Sequence, residues 1–200
     1  FNNLESKYNY NSPVDILIEA SNGASDYGNK IGEPIISGFT RSFGMDINDE
    51  RIEWVKPIMF TGGIGSINRT HIYKDNPEKD MLVIRIGGPA YKIGLGGGFS
   101  SSVDQDGSRN KFELAAVQRG DPQMENKLNR VIKTLIDMGE KNPIVSIHDQ
   151  GAGGLANVVK EIVYPNGAEI NLDNVTLGDS SLHPLEIWCS EFQESDVLIT

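Results

Sequence analysis

The spacing of apolar residues predicts several helices and strands along the chain. The strongest helical pattern covers residues 122–138, where apolar side chains recur on one face and Asp121 precedes them as a capping residue. Further helices are predicted over 14–20, ending before Gly23, and over 155–163. The remaining apolar runs predict strands at 34–43, 56–60, 67–73, 81–86 and 144–147, and a strand-turn-strand unit across 185–199.

These elements are mixed without strict alternation, which is typical of an α+β fold with mixed sheets and packed helices. The polar stretch 74–79 contains Asn76-Pro77 and interrupts the apolar pattern. We therefore predict two domains, 1–76 and 77–200, with a boundary at this stretch.

Composition and charge disfavour some classes of function. The chain has 200 residues with 18 basic and 28 acidic side chains, a net charge of −10, which disfavours binding to nucleic acid or to anionic membranes. No apolar run approaches the roughly 20 residues of a membrane span. The single cysteine, Cys189, cannot form an internal disulfide, so a reducing, cytoplasmic location is expected. Phe1 at the start and the apolar run at the end indicate an internal segment of a larger protein.

A cluster of glycines follows the predicted strand 81–86. Closely spaced glycines allow the backbone amides to point inward and bind an anion, so this loop is a candidate phosphate site. A flexible hairpin without a ligand is the alternative, and the loop matches neither the Walker nor the dinucleotide-binding pattern. The candidate phosphate-binding glycines are Gly94, Gly96, Gly97 and Gly98.

A second candidate site lies at the end of the predicted strand 144–147. Asp149 follows this strand and precedes several glycines, an arrangement that suits a divalent cation beside phosphates. A helix-capping role for Asp149 is the alternative. Gln118 precedes the long helix, and 191–194 is a polar turn; each is a candidate ligand contact or an ordinary surface loop.

Five strings in order resemble the large, single-chain form of the phosphoribosylformylglycinamidine synthase family. Each string alone is weak, but the five in order are highly specific, and the match runs from about Ser12 to Thr200. They are YGNKIGEP at 27–34, GGPAYKIGLGGG at 87–98, VQRGDP at 117–122, IHDQGAGGL at 147–155 and PLEIWCSE at 184–191.

The resemblance implies domains like the N- and C-terminal-type domains of aminoimidazole ribonucleotide synthetase. It also implies an ATP- and Mg²⁺-dependent ligase of purine biosynthesis. Such an enzyme converts formylglycinamide ribonucleotide to formylglycinamidine ribonucleotide, with ammonia that a glutaminase domain outside this segment releases from glutamine. The alternative is a non-catalytic, nucleotide-binding scaffold repeat of a paralogue.

The resemblance also assigns roles to individual residues. Asp149 matches a magnesium ligand, and Gln118 matches a substrate-binding glutamine. Glu191, Phe192 and Gln193 match a substrate-contacting tripeptide that is usually Glu-Ser-Gln. Ser37, Gly38 and Phe39 lie where large enzymes of the family contact an auxiliary nucleotide, usually through Asn-Gly-Tyr. No catalytic residue is expected in this segment, so the isolated chain is predicted to have no turnover.

Overall fold

The computed structural model describes residues 11–54, 57–95, 120–192 and 194–200. The chain forms two compact units, Phe1–Ser66 and Ile67–Thr200. The domain boundary that the sequence places between Asn76 and Pro77 stays a prediction. Among the described residues, no helix is both long enough and apolar enough to cross a bilayer.

The first unit begins with helix α1, Pro13–Ile31. The Ser12 side chain accepts a hydrogen bond from the Asp15 amide, and Gly32 ends the helix with a φ of 84°. The prediction that this helix ends before Gly23 is wrong. A glycine inside a helix costs only about 1 kcal/mol, and the next turns are supported by the Asp26–Lys30 ion pair.

Two antiparallel strand pairs complete the first unit. Strand β1, Ser37–Arg41, pairs with β4, Ile58–Gly62, and brings Phe39 opposite Phe60 with ring centroids 5.6 Å apart. Strands β2, Gly44–Ile47, and β3, Glu50–Glu53, form a hairpin that the sequence analysis missed. Its two turn residues, Asn48 and Asp49, both have positive φ, as a tight two-residue hairpin turn requires.

The second unit contains a three-stranded antiparallel sheet with the strand order β5-β7-β6. The strands are β5, Val83–Gly87, β6, Ser146–Asp149, and β7, Ser195–Ile199. The predicted strand at 67–73 is wrong, because a 3₁₀ turn, Arg69–His71, lies there. The Asn68 side chain accepts a hydrogen bond from the Thr70 amide, which stabilises the turn in place of a strand.

Three helices accompany this sheet. Helix α2, Pro122–Asp137, confirms the strongest helical pattern, and its Asp121 cap accepts hydrogen bonds from the Gln123 and Met124 amides. Helix α3, Gly154–Ile162, packs against β6 and β7, and its buried side chains form the core with those of β7. The predicted α+β class is thereby confirmed.

Helix α4, Pro184–Cys189, corrects a prediction. The first half of the strand-turn-strand unit at 185–199 is helical, and only its second half is a strand. Pro184 occupies the first turn, and the Glu186 carboxylate accepts a hydrogen bond of 3.0 Å from the His183 amide. Helix α4 is therefore followed directly by residues 190–194, which connect it to β7.

Candidate functional site

The strand register of the second unit gathers the candidate residues at one edge of the sheet. Strands β5 and β6 both run antiparallel to the central strand β7, so their carboxyl ends lie beside its beginning. Gly87 at the end of β5 pairs with Ser195, and Asp149 at the end of β6 pairs with Asp196. The connection 190–194 enters at the same edge.

A cavity of about 380 Å³ lies at this edge and is strongly acidic. The start of α2, the end of β6 and the connection 190–194 all contribute to its lining, and no lysine or arginine of the described segments does. The carboxylates that line it are Glu125, Asp149, Glu191, Glu194 and Asp196. Such a cavity attracts a cation or a ligand that carries one.

The charges in the cavity influence one another. Burial raises the pKa of Asp196 to about 6, with a further contribution from the negative charge of Asp149, while His148 acts in the opposite direction. The Asp149 side chain is 88% exposed. His148 contacts Glu161 Oε2 through Nε2 at 2.8 Å and the Asp149 carbonyl oxygen through Nδ1 at 2.7 Å. Nδ1 also lies 3.5 Å from Asp149 Oδ1, and the Asp149 carboxylate is otherwise accessible to a ligand.

The donor set at this edge fits Mg²⁺ better than a metal held wholly by protein. Within the described ranges, no group of three or more His, Cys, Asp or Glu side chains is arranged to hold a metal. Mg²⁺ commonly takes one or two carboxylates and completes its coordination with water and substrate phosphates. Asp149, with Asp196 opposite it, supplies carboxylates of this kind.

Gln150 is a candidate ligand contact that the sequence analysis missed. Its side chain lines the acidic cavity and is only 8% exposed, yet neither Oε1 nor Nε2 has a hydrogen-bond partner among the described residues. A buried polar group without a partner costs about 1–3 kcal/mol. Its place directly after Asp149 in the string at 147–155 was the available indication.

Gly94 and Glu191, which the sequence analysis placed in separate motifs, lie in contact. Glu191 is only 4% exposed, and its amide donates a 3.0 Å hydrogen bond to the Ile93 carbonyl oxygen. Gly94 has a φ of 67°, and a Cβ built on it would lie 2.6 Å from Cγ and Cδ of Glu191. Position 94 therefore requires glycine for two reasons: its backbone has a positive φ, and Glu191 leaves no room for a Cβ. Its phosphate-binding role stays a prediction, and Gly96, Gly97 and Gly98 lie outside the described residues.

Phe192 lies at the cavity but buries its side chain in the core. It is 2% exposed, and the Arg85 guanidinium carbon lies 4.7 Å from the centre of its ring. Its ring therefore occupies a place between the sheet and the connection, where a hydrophobic side chain is accommodated. This burial accounts for a phenylalanine at the position where the resemblance implies a small serine.

The N-terminal end of α2 is attached to the same connection. The Asp121 amide donates a hydrogen bond of 2.9 Å to Glu194 Oε1, and Gly120 lines the cavity. Gln118 and Gln193 lie outside the described residues, so their roles stay predictions. Each is close in sequence to a residue of the cavity, Gln118 to Gly120 and Gln193 to Glu194.

The residues predicted to contact an auxiliary nucleotide belong to the first unit. Ser37, Gly38 and Phe39 form the first part of β1 and line a cavity of about 240 Å³ between α1 and the β1–β4 pair. Phe39, stacked on Phe60, supplies an aromatic surface there. Their nucleotide-binding role stays a prediction.

Comparison with known proteins identifies relatives for most of the chain. Residues 78–200 match the family model of the AIR synthase related protein, C-terminal domain. The chain is 58% identical over 192 residues to a probable phosphoribosylformylglycinamidine synthase, chloroplastic/mitochondrial, of Arabidopsis thaliana. It is 53% identical over 193 residues to the human phosphoribosylformylglycinamidine synthase. Each alignment covers 96% of this chain and 14% of the relative, so the chain spans about a seventh of these proteins' length.

Solved structures agree with the sequence relatives. Thermotoga maritima PurL complexed with FGAR aligns with a TM-score of 0.62 and 26% identity, covering 89% of this chain and 28% of that one. T. maritima PurL complexed with ATP aligns with a TM-score of 0.60 and 23% identity over 90% of this chain and 26% of that one, a likeness of fold. The resemblance predicted from the five strings is confirmed.

Proposed function

The chain belongs to the AIR synthase related family through its C-terminal domain, and we propose that it is a segment of a phosphoribosylformylglycinamidine synthase. The whole enzyme uses ATP to convert formylglycinamide ribonucleotide and glutamine to formylglycinamidine ribonucleotide in purine biosynthesis. The relatives in Arabidopsis and human that carry this name support the proposal. The structural observation that carries it is the acidic cavity, where Asp149 meets the connection 190–194.

The ribonucleotide substrate is proposed to bind at the connection 190–194. Glu191 and Phe192 line the cavity, the main chain of Phe192 is proposed to contact the substrate, and Gln118 and Gln193 are proposed to add their amides. The PurL structure complexed with FGAR supports a substrate of this class. Gly94, which packs on Glu191, is proposed to belong to the loop that binds the substrate's phosphate, together with Gly96, Gly97 and Gly98.

Asp149 is proposed to hold Mg²⁺, with Asp196 as the nearest second carboxylate. When bound, the cation neutralises phosphate charge and orients the nucleotide. The protein's own contribution is positioning. The main chain at Asp149 is held by the contact of His148 with its carbonyl oxygen, while the main chain at buried Glu191 is held by its hydrogen bond to Ile93.

The proposed reaction transfers the γ-phosphoryl group of ATP to the amide oxygen of the substrate. Ammonia, released from glutamine in a glutaminase domain outside this segment, then attacks the amide carbon and displaces phosphate. Because this chemistry needs charge stabilisation more than a protein nucleophile, a cavity of fixed polar side chains suits it. The catalytic residues are proposed to lie outside this chain.

Two further proposals concern the first unit and the location of the protein. Ser37, Gly38 and Phe39 are proposed to contact an auxiliary, non-catalytic nucleotide, since they line a cavity with an aromatic wall. We also propose a cytoplasmic location, which the lone cysteine favours.

The test is an assay of the full-length protein with formylglycinamide ribonucleotide, glutamine, ATP and Mg²⁺. We expect formylglycinamidine ribonucleotide, ADP, phosphate and glutamate in equal amounts, and no product from the 200-residue chain alone. A full-length protein that binds nucleotide but forms no product would support the scaffold alternative and contradict the proposal.

A further inference from the structure

Arg85 lies in the middle of β5, with its side chain half-buried beneath the connection 190–194. Its guanidinium donates hydrogen bonds to the carbonyl oxygens of Gly87 and Gly88, and Nη1 and Nη2 lie 2.6 and 2.5 Å from the Gly88 oxygen. Nη1 also approaches Ser195 Oγ at 3.4 Å. Arg85 is therefore attached both to the end of its own strand and to the beginning of β7.

The same guanidinium lies against Phe192. The distance from Cζ to the ring centre is 4.7 Å, and the ring is 2% exposed. A cation placed over an aromatic ring away from water interacts with it more strongly than an exposed one. Burial lowers the pKa of Arg85, but an arginine in a protein stays charged at neutral pH.

Two of the residues that Arg85 contacts, Phe192 and Ser195, line the acidic cavity. The Gly88 amide donates to the Glu194 carbonyl oxygen at 3.2 Å, beside the Arg85 contacts. Gly87 has a φ of 123°, and a Cβ on it would lie 2.1 Å from the same Glu194 oxygen, so the two segments pack closely. Moving Phe192 would therefore move Glu191 and Glu194, its neighbours at the cavity.

From these contacts we propose that Arg85 is a positioning residue for the ribonucleotide substrate, acting by holding Phe192 so that Glu191 and Phe192 keep their places in the wall of the cavity. The proposal rests on the proposed function of the connection 190–194. This role requires the planar guanidinium group of arginine, whose N–H groups bind two carbonyl oxygens while its flat face packs on the Phe192 ring. Lysine offers one compact ammonium group and cannot do both.

The test uses Arg85→Lys, Arg85→Met and Phe192→Leu in the full-length protein, with Arg130→Lys and Arg130→Met on the exposed surface of α2 as matched controls. We expect each Arg85 variant and Phe192→Leu to raise KM for formylglycinamide ribonucleotide about tenfold. The KM for ATP should stay close to that of the parent. The Arg85→Met, Phe192→Leu double variant should be no worse than the more affected single variant, because both changes remove one shared contact.

A measurement independent of activity separates this proposal from the proposed function. Amide hydrogen exchange in peptides spanning 187–194 should be faster in both Arg85 variants and unchanged in both Arg130 variants. Unchanged exchange in the Arg85 variants, or additive effects in the double variant, would overturn the positioning role. Equal losses in both KM values and in thermal stability would also overturn it, since they indicate a structural role only.

A parent protein that forms no product would contradict the proposed function and leave the exchange experiment to decide the role of Arg85. If Arg85→Met does not accumulate, Arg85→Lys and Phe192→Leu provide the same tests.

Discussion

Asp149 and Asp196 are paired opposite each other on β6 and β7, so two aspartates share the edge of the sheet where the candidate site lies. The pKa of Asp196 is raised from 3.8 to about 6, by burial first and by the charge of Asp149 second. Two acidic groups whose charges repel each other favour the uptake of a proton or a cation. This pair is the electrostatic basis of the proposed Mg²⁺ site.

The raised pKa predicts a pH dependence of folding. The folded protein holds the Asp196 proton more firmly than the unfolded chain, whose aspartates titrate near 3.8. This carboxyl therefore contributes stability below that value, and the contribution is lost as pH rises to about 6. A ¹³C NMR titration of the carboxyl carbon in the 200-residue chain should place its midpoint near 6, and Asp149→Asn should lower that midpoint. A midpoint near 4 in the parent would contradict the account.

Asp149→Asn tests the proposed metal ligand in the full-length protein. Removing its charge should reduce the rate of amidine formation or the affinity for Mg²⁺ on the order of 10². Glutamine hydrolysis should continue, because it takes place in another domain. Asp137→Asn, at the exposed end of α2, is the control and should behave like the parent. Equal synthesis by the Asp149 variant and the parent would remove Asp149 from the site.

Gly94→Ala tests the packing of the glycine loop on Glu191. Both Gly94 and Gly139 have positive φ, but a Cβ at Gly139 would meet nothing within 4 Å, whereas one at Gly94 would collide with Glu191. The left-handed conformation costs each alanine variant roughly 1–2 kcal/mol. Only Gly94→Ala also displaces Glu191. Gly94→Ala should therefore raise KM for formylglycinamide ribonucleotide by at least about tenfold, as steady-state kinetics would show. The same KM in both variants would argue against a role for this contact.

Gly38→Ala tests the auxiliary nucleotide site of the first unit. A Cβ at Gly38 would lie 2.6 Å from the Phe60 carbonyl oxygen, which would separate β1 from β4. Gly62→Ala is the matched control on the partner strand, where the nearest atom is 3.9 Å away. The Gly38 variant should lose bound nucleotide after gel filtration of the full-length protein, and the Gly62 variant should retain it. Equal retention would place the auxiliary nucleotide elsewhere.

Local sequence patterns predicted the elements whose formation depends on local interactions. Helix α2 has both an amphipathic pattern and the Asp121 cap, and its predicted end differs from the observed one by a single residue. The short apolar run of helix α4 has no distinguishing period, so its pattern predicts a strand as readily as a helix. Pro184, which favours the first turn of a helix, was the overlooked indication.

The candidate site was predictable only in part, because its geometry depends on contacts between distant segments. Asp149 can be picked out in the sequence because glycines follow it. Asp196 becomes a candidate only because the β6–β7 register pairs it with Asp149. The burial of Phe192 against Arg85 likewise joins residues from different strands and connections. The hairpin turn at Asn48 and Asp49 was a local feature that the analysis overlooked.

A crystal structure of the full-length protein with formylglycinamide ribonucleotide, a non-hydrolysable ATP analogue and Mg²⁺ tests the central claim most directly. The account predicts Mg²⁺ coordinated by Asp149 and the ribonucleotide in contact with Glu191 and the main chain of Phe192. Both ligands bound away from the acidic cavity at the β5-β7-β6 edge would contradict it.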